Sequence, residues 1–410
     1  IVGSGISGLV CAYLLREHHD VTLYESDGRL GGHTNTVDVE DGGRVIGVDT
    51  GFIVYNEDNY PRFTELLARL GVPTKPSDMS LSVRCDRCGL EYNGSSLNRL
   101  FAQRRNLLRP AHYRMTRDIL RFFRESVGVL ERDDLDTTVG EYVESEGYGG
   151  EFVEHYLLPI GAALWSCPEG TFRGFPIRFV VEFFRNHGML KRTGRPAWRV
   201  VEGGSARYVE AMTRGFHDRV RLNTPVRCVV RDDGGVEVRT SDGESARYDH
   251  AVLACHSDQA LSMIDEPTES EREILAAIPY GTSRAVLHTD TSVLPERRLA
   301  WGSWNYHVRD DPDMPAAVTY NMNMLQSIRS DSTYCVTLNE EDAIDPRRVI
   351  ARFDYAHPVF AASRVAAQKR RAEMVDSGGL SFCGAYWGYG FHEDGVRSAL
   401  DVCESFGVCL

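Results

Sequence analysis

The first eight residues constrain this chain more than any others. Ile1-Val2 closes a strand, and Gly3-Ser4-Gly5-Ile6-Ser7-Gly8 follows it as G-x-G-x-x-G. The pattern predicts an amphipathic helix from about Leu9 to Glu17 and a second strand over Val21 to Tyr24, with Glu25 twenty residues beyond Gly5. Glycines alone are a weak signal; in strand–turn–helix–strand–acid order they specify a dinucleotide-binding unit. Gly3 permits the turn, Gly5 lets the backbone approach a pyrophosphate, and Gly8 lets helix and strand pack closely. Ser7 sits at the phosphate-binding helix N-terminus, and Glu25, with Ser26 beside it, is placed for ribose hydroxyls.

A chain of 410 residues is long enough for two or three domains with full cores. A net charge of −13 argues against nucleic acid as a partner. Arginine dominates the basic residues, since Lys75, Lys191 and Lys369 are the only lysines. Of the ten cysteines, most stand singly in apolar surroundings, as small buried hydrophobes do. Cys85-x-x-Cys88 is the one close pair, and no second pair or histidine at ligand spacing accompanies it, so no metal site is expected. A structural pair is the favoured reading, with redox or metal chemistry as the alternative. No apolar run reaches the length of a membrane span, and a reducing cytoplasm is the expected location. The chain opens inside a strand without a methionine, so residues are expected to precede Ile1.

Arg29-Leu30-Gly31-Gly32-His33 follows Glu25 closely. With the glycine motif and Val48-Asp49-Thr50-Gly51-Phe52, it resembles the flavin amine oxidase superfamily. The resemblance implies FAD, with Arg29, Gly31, Gly32 and His33 along its phosphate and ribityl region. Thr50, Gly51 and Phe52 would lie beside the isoalloxazine. His33 could tether the flavin covalently, but a plain contact is the favoured reading. No second G-x-G-x-x-G stands in a strand–helix setting, so a separate nicotinamide domain is not expected.

Between Tyr60 and Tyr156 the pattern is helical, with Pro61 opening a helix that ends near Leu70-Gly71. From Arg99 to Arg124 there are eight arginines and one acid, Asp118. A helix is predicted over Ala111 to Leu130. Arg114, Arg117, Arg121 and Arg124 stripe one side; Met115, Ile119, Phe122, Phe123 and Val127 stripe the other. The basic stripe suits an anionic membrane surface or an acyl-carrying partner, but a solvated helix face is the favoured reading. Strands are predicted at Val226–Arg231, Gly235–Thr240 and Ala246–Cys255. The resemblance places Pro225-Val226 near the adenosine.

From Ile278 to Ile350 the pattern is largely β, and Asp310-Asp311-Pro312-Asp313 reads as the turn between two strands. Val318, Tyr320, Met322 and Met324 alternate with Thr319, Asn321 and Asn323 along the second of them. Trp165, Trp304, Tyr320 and Asn321 suit the wall of an apolar cavity with a few polar contacts, and ordinary core packing suits them as well. Pro279-Tyr280-Gly281 resembles the turn after which many amine-oxidising members carry a lysine bonded through water to flavin N5. Here Ala285 takes that position, with Arg284 adjacent and His288 three residues on. That departure puts amine oxidation in doubt.

The final stretch, Cys383-Gly384-Ala385-Tyr386-Trp387-Gly388-Tyr389-Gly390-Phe391-His392-Glu393-Asp394-Gly395, resembles the superfamily's flavin-cradling turn. The resemblance implies that Gly384, Phe391, His392 and Val396 contact the cofactor and that Trp387 and Tyr389 shape the wall over the ring. It also puts His392 where an aromatic-cage residue often stands; an imidazole titrating near working pH makes it the candidate base, with a structural histidine donating to backbone as the alternative. Together with Leu164-Trp165-Ser166-Cys167-Pro168 and Ser303-Trp304-Asn305-Tyr306, this stretch is similar to a bacterial flavoprotein subgroup associated with cyclopropane and methylated fatty-acid synthases.

The implied fold is α/β: a Rossmann-type, glutathione-reductase-like FAD domain interleaved with a mixed-sheet substrate domain and a helical subdomain. Its expected segments are 1–58, 200–258 and 372–410 for the FAD domain, 59–199 for the helical part, and 259–371 for the β-rich part. The expected activity is hydride transfer at a C–C bond of an apolar, fatty-acyl substrate, by desaturation or double-bond isomerisation. An amine or amino-acid oxidase, and a non-catalytic flavin-binding accessory protein of a lipid-modifying enzyme, are the alternatives.

Overall fold

The structure is a computed structural model that describes residues 1–132, 134–165, 167–311 and 314–410. Ser166, and Pro312 and Asp313 of the anticipated turn, lie outside the described residues.

Val2 stands in the middle of a parallel sheet. Its N–H donates to Val252 O at 2.8 Å, and Ala254 N donates back to Val2 O at 2.8 Å. On its other side Gly3 N donates to Tyr24 O at 2.8 Å. Leu23–Tyr24 pairs with Val220–Arg221 and Ala251–Leu253 with Leu380–Phe382, so the order is 220–221, 23–24, Val2, 251–253, 380–382. Such strands are apolar on both faces because both are covered. The first helix, Ile6–Leu15, and the last, His392–Ser405, pack together on one side, burying Leu9, Val10, Val396 and Ala399 completely. Val229, Ile274 and Leu275 gather with the sheet residues Val2, Leu253 and Leu380 in a second cluster. The first helix begins directly after Gly5, earlier than the apolar periodicity suggests, because Gly5 is its N-cap.

The predicted strand Ala246–Cys255 is two strands. Ser245–Tyr248 completes an antiparallel meander with Val226–Asp232 and Gly235–Thr240, and Ala251–Leu253 joins the parallel sheet. The chain changes sheets at Asp249-His250, a step that hydrophobic pattern alone does not mark.

A second, mixed sheet runs in the order 349–358, 280–288, 335–338, 317–321, 304–308, 81–85, 90–93. Its last two strands, Leu81–Cys85 and Leu90–Asn93, fall inside the span expected to be helical. Each is too short to establish its period, and the first is secured by parallel pairing with Trp304–Val308. The strand predicted through Met324 stops at Asn321, whose side chain accepts a bond from Met324 N at 3.2 Å and caps the turn Met322–Leu325.

The remaining helices form a subdomain around Phe122, Phe152, Phe172, Phe183 and Phe184. Its basic helix runs Pro110–Glu125, with proline in the first turn, and continues as a 3-10 segment Ser126–Glu131.

Candidate cofactor and substrate site

The three glycines of the first motif meet different surroundings. A Cβ on Gly8 would lie 1.9 Å from Gly3 O, and one on Gly3 would lie 2.8 Å from Ala254 O; a Cβ on Gly5 would meet nothing within 4 Å. Gly3 and Gly8 are therefore packing positions, whereas Gly5 faces open space at the N-terminus of a helix. The second glycine loop closes on the first: Gly31 N donates to Ser4 O at 3.0 Å, and a Cβ on Gly32 would lie 3.0 Å from Gly5 Cα. Arg29 holds that loop by donating to Gly32 O at 2.8 Å and Thr34 O at 3.1 Å. Glu25 accepts from Ser4 N at 2.9 Å, Ser4 Oγ at 2.5 Å, Asp27 N at 2.9 Å and Ser26 Oγ at 3.1 Å. The chain leading into Val226 passes this acid, since Thr224 N donates to Glu25 O at 2.8 Å.

The last turn supports itself through its own polar side chains. Asp394 accepts from the backbone N–H groups of Tyr389, Gly390 and Phe391 at 2.9, 3.1 and 3.0 Å. Glu393 accepts from Arg62 N and Phe63 N at 3.1 and 3.0 Å, putting a carboxylate on the N-terminus of the helix Pro61–Leu70. His392 is buried: its ring stacks on Phe52 with centroids 3.5 Å apart, and its Nε2 meets Thr34 Oγ1 and Tyr208 OH, each at 3.0 Å. Burial pushes its pKa down to about 3. A base needs a pKa near working pH and access to its proton, so the burial and contacts of His392 favour a structural role over that of the base.

Four further expectations change at this turn. Trp387 is core, with its Nε1 donating to Phe382 O at 3.1 Å, and is no wall of a cavity. Gly384 donates its N–H to Ser398 Oγ at 2.9 Å, and is a glycine because a Cβ would sit 2.2 Å from the Tyr386 ring. Val396 is buried between the first and last helices, which leaves it only its backbone for a ligand. Ser7 Oγ donates to Gly395 O at 3.0 Å, joining the two helix N-termini.

The sequence reading missed what stands opposite the glycine loops. His33 is packed among rings: His357 at 4.8 Å, Tyr355 at 5.3 Å and His256 at 5.9 Å between centroids. Its Nε2 is buried with no partner among the described residues. Burial, then the neighbouring His357 and His256, hold His33 well below the usual imidazole range. His357 is exposed at the end of its strand, and desolvation by its neighbours brings it to about 4. Tyr355 OH bonds Thr50 Oγ1 at 2.8 Å and accepts from Asn35 Nδ2 at 2.9 Å, and its ring lies beside Gly51, where a Cβ would come within 3.3 Å. Tyr355 and His357 are two residues apart on the strand Val349–Pro358 and so share a face. That alternation was the available signal.

An open glycine cradle at a helix N-terminus, an adjacent acid and an orphaned imidazole fit a dinucleotide bearing a flavin. A profile of flavin containing amine oxidoreductases matches residues 6–298. The chain belongs to that family. It is a flavin-dependent oxidoreductase, and its cofactor is FAD. Solved structures sharing the fold include putrescine oxidase bound to putrescine, at 16% identity over 99% of this chain and 97% of that one, with a TM-score of 0.68. A CLA-producing fatty acid isomerase from P. acnes matches at 15% identity, 99% and 97% coverage and a TM-score of 0.69. Cyclohexylamine oxidase from Brevibacterium oxydans IH-35A matches at 16%, 99% and 98%, with 0.67.

In this flavin-dependent oxidoreductase Ala285 is buried in an apolar cluster with Ile53, Leu287 and Tyr355. Arg284 turns outward to Glu341 and Asp354, and His288 bonds Thr337 Oγ1 at 2.7 Å, so neither substitutes for a lysine. Tyr389 belongs to an aromatic cluster that reaches into the helical subdomain. Its ring lies 5.6 Å from both Phe179 and Phe183; Phe179 meets Phe360 at 4.5 Å and Trp165 at 5.6 Å. Phe391 continues the cluster, stacked 5.6 Å from Phe183. Trp165, Phe179, Phe360, Tyr389 and Phe391 all keep some accessible surface. Trp304 and Tyr320 meet edge to face at 4.8 Å, and the Trp304 Nε1 is buried without a partner among the described residues. Asn321 is spent on its helix cap.

The arginine stripe is divided. Arg121 and Arg124 both bond Glu125, at 2.7 and 2.6 Å, and Arg121 also lies over the Tyr148 ring; Arg117 is exposed but bonds the buried Asp118 at 3.2 Å, and Arg114 is exposed. Leu97, Leu107, Leu108 and Tyr113 are exposed nearby, with Tyr113 OH donating to Leu107 O at 3.0 Å. No described helix is long and apolar enough to cross a membrane.

Proposed function

We propose that this flavoprotein acts at a C–C bond of a long apolar substrate of the fatty-acyl class, by desaturation or double-bond isomerisation. The aromatic cluster from Trp165 to Tyr389 and Phe391 is the observation that carries this reading. Its partly exposed rings offer apolar contact, which suits a hydrocarbon chain. A fatty acid isomerase among the proteins of the same fold makes such a substrate compatible with the scaffold. FAD, when bound, supplies the two-electron hydride acceptor.

The chain's own residues bind and orient. Gly5, Gly32 and the N-terminus of the first helix take the pyrophosphate charge, and Asp394 holds the last turn against Tyr389 and Phe391. The His33, His256 and His357 rings, clustered beside Tyr355, are all shifted toward the neutral form. For desaturation, a hydride and a proton leave adjacent carbons; for isomerisation, hydrogen returns to a different carbon and no net oxidation occurs.

Arg114, Arg117, Leu108 and Tyr113 support a further element of the proposal, in which the same enzyme takes its substrate at an anionic lipid surface in the cytoplasm. The resemblance of the sequence to bacterial flavoproteins associated with cyclopropane and methylated fatty-acid synthases supports the same substrate class. An amine oxidase is the second reading, and family membership is what favours it; the buried Ala285 weighs against it.

The test is anaerobic titration of the holoenzyme with fatty acids, acyl phospholipids and, in parallel, alkylamines, following the flavin absorbance. Bleaching or a spectral shift with acyl substrates alone supports the proposal. Product mass then separates the outcomes, because desaturation removes a hydrogen pair and isomerisation does not. Bleaching by amines alone would establish the oxidase. No response to either would leave a flavin-binding accessory protein.

A further inference from the structure

Cys85 and Cys88 stand at the tip of the hairpin formed by Leu81–Cys85 and Leu90–Asn93. Nothing near them in sequence completes a ligand set. The fold does: Val153–Leu157, wound as a single π turn, lays His155 against the hairpin tip. Its Nε2 lies 3.6 Å from Cys88 Sγ, and the two sulfurs and the imidazole nitrogen all fall within 4.8 Å of one another. Both thiols are free.

We propose that Cys85, Cys88 and His155 form a binding site for a zinc-class divalent cation, with the fourth coordination position open to a solvent-derived ligand. A tetrahedral centre with metal–sulfur and metal–nitrogen bonds of about 2.3 and 2.0–2.1 Å has a sulfur–nitrogen edge of about 3.6 Å, the separation found between Cys88 and His155. The outer contacts suit a ligating histidine. Glu151 Oε2 lies 3.0 Å from His155 Nδ1, which fixes the proton on that nitrogen and turns the Nε2 lone pair toward the sulfurs. Tyr92 OH donates to His155 O at 2.6 Å and ties the π turn to the hairpin. Single π turns inside helices occur often at functional sites, since they re-aim a side chain that regular winding would point elsewhere.

Access and charge fit as well. Cys85 and His155 are buried and Cys88 is exposed, at a surface cavity of about 420 Å³ lined also by Arg87, Gly150, Glu151 and Glu154. Arg87 pairs with Glu154 at 3.5 Å. Soft thiolates with one imidazole select zinc-like ions over the hard, oxygen-seeking magnesium and calcium. An ion here would clamp the mixed sheet to the helical subdomain, because its ligands come from both.

The experiment uses the reduced, FAD-loaded protein, incubated with zinc chloride and desalted, with retained zinc measured per chain. About one zinc per chain is expected. Retention should fall to background in Cys88→Ser, whose side chain is exposed and whose fold is safe, and in His155→Gln. Glu151→Gln should weaken affinity by about 10- to 100-fold in a chelator competition. Zinc should raise the unfolding temperature of the native protein and leave that of Cys88→Ser unchanged. The flavin spectrum, alike in all variants, reports folding. Zinc retained equally by Cys88→Ser, or none retained by the native protein, overturns the proposal. So does a Cys85–Cys88 disulfide found by thiol counting in protein isolated without reductant, which would make the pair a redox couple instead.

Discussion

The hydroxyl of Tyr355 lies 2.8 Å from that of Thr50, joining the second sheet to the segment that passes beside Gly51. Asn35 completes the contact from the other side, so three residues far apart in sequence share one buried polar node. Tyr355→Phe removes the shared hydroxyl and leaves the other two short of a partner. It should cost about 1–3 kcal/mol in denaturant unfolding of the holoenzyme. The visible circular dichroism of the bound flavin should change with it; an unchanged spectrum would place Tyr355 away from the ring.

Gly5 and Gly8 predict opposite failures. Gly5→Ala adds a methyl where nothing lies within 4 Å, so the unliganded protein should keep its unfolding temperature while FAD affinity falls by at least about tenfold. Gly8→Ala drives a methyl into Gly3 O and should lower stability by about 1–3 kcal/mol whether or not FAD is present. Calorimetry with and without cofactor separates the two, and identical behaviour would refute the assignment.

Acid should destabilise the fold in a defined window. Burial holds His392 at about 3 and His288 at about 4, against an ordinary value of 6.5. The unfolded chain takes up protons that the folded one refuses, so these groups' contribution is intact above about pH 6.5 and declines as pH falls toward 3–4. Each contributes a slope of at most about 1.4 kcal/mol per pH unit. His392→Asn should flatten the dependence of urea midpoint on pH between 6 and 4, and a slope unaltered by that change would show that His392 is not among its causes.

Arg231 bonds both oxygens of the buried Glu271, at 2.7 and 2.9 Å. Arg231→Met leaves that carboxylate unpaired and should cost about 3–5 kcal/mol, whereas Arg231→Met with Glu271→Leu should recover most of the loss. The comparison is made by chemical denaturation, and equal losses in both variants would mean that packing, not charge, is at stake.

Leu108, 88% exposed, stands two residues before the helix Pro110–Glu125 that carries Arg114 and Arg117. Leu108→Glu should reduce co-sedimentation with anionic phospholipid vesicles by about tenfold or less, given a lost apolar contact and an added like charge. Binding to neutral vesicles is the control. Unchanged sedimentation on anionic vesicles would end the surface-docking proposal.

The cofactor end of the molecule was legible because its signals are local. Gly3, Gly5, Gly8 and Glu25 sit at spacings that backbone geometry alone imposes, and a positive φ of 98° at Gly3 is what such a turn demands. The helix after Pro61 and its left-handed stop at Gly71 were equally local. The missing lysine could also be read directly, since Ala285 is one residue in one strand.

Other features depended on partners distant in sequence. His392 looked like a base until Thr34, Phe52 and Tyr208 were found around it. The resemblance implies a cofactor contact for Gly384 and a place in the wall over the ring for Trp387, but their partners Ser398 and Phe382 take up their N–H groups. Asp249-His250 moves the chain between sheets without any change in hydrophobic pattern. The sequence by itself determined the dinucleotide unit, the flavin family resemblance and the absence of a lysine after the Pro-x-Gly turn. Tertiary structure alone decided which polar atoms remain free, because burial and hydrogen bonding between distant segments set both pKa and access. It also set His155, 67 residues from Cys88, against the Cys85-x-x-Cys88 pair.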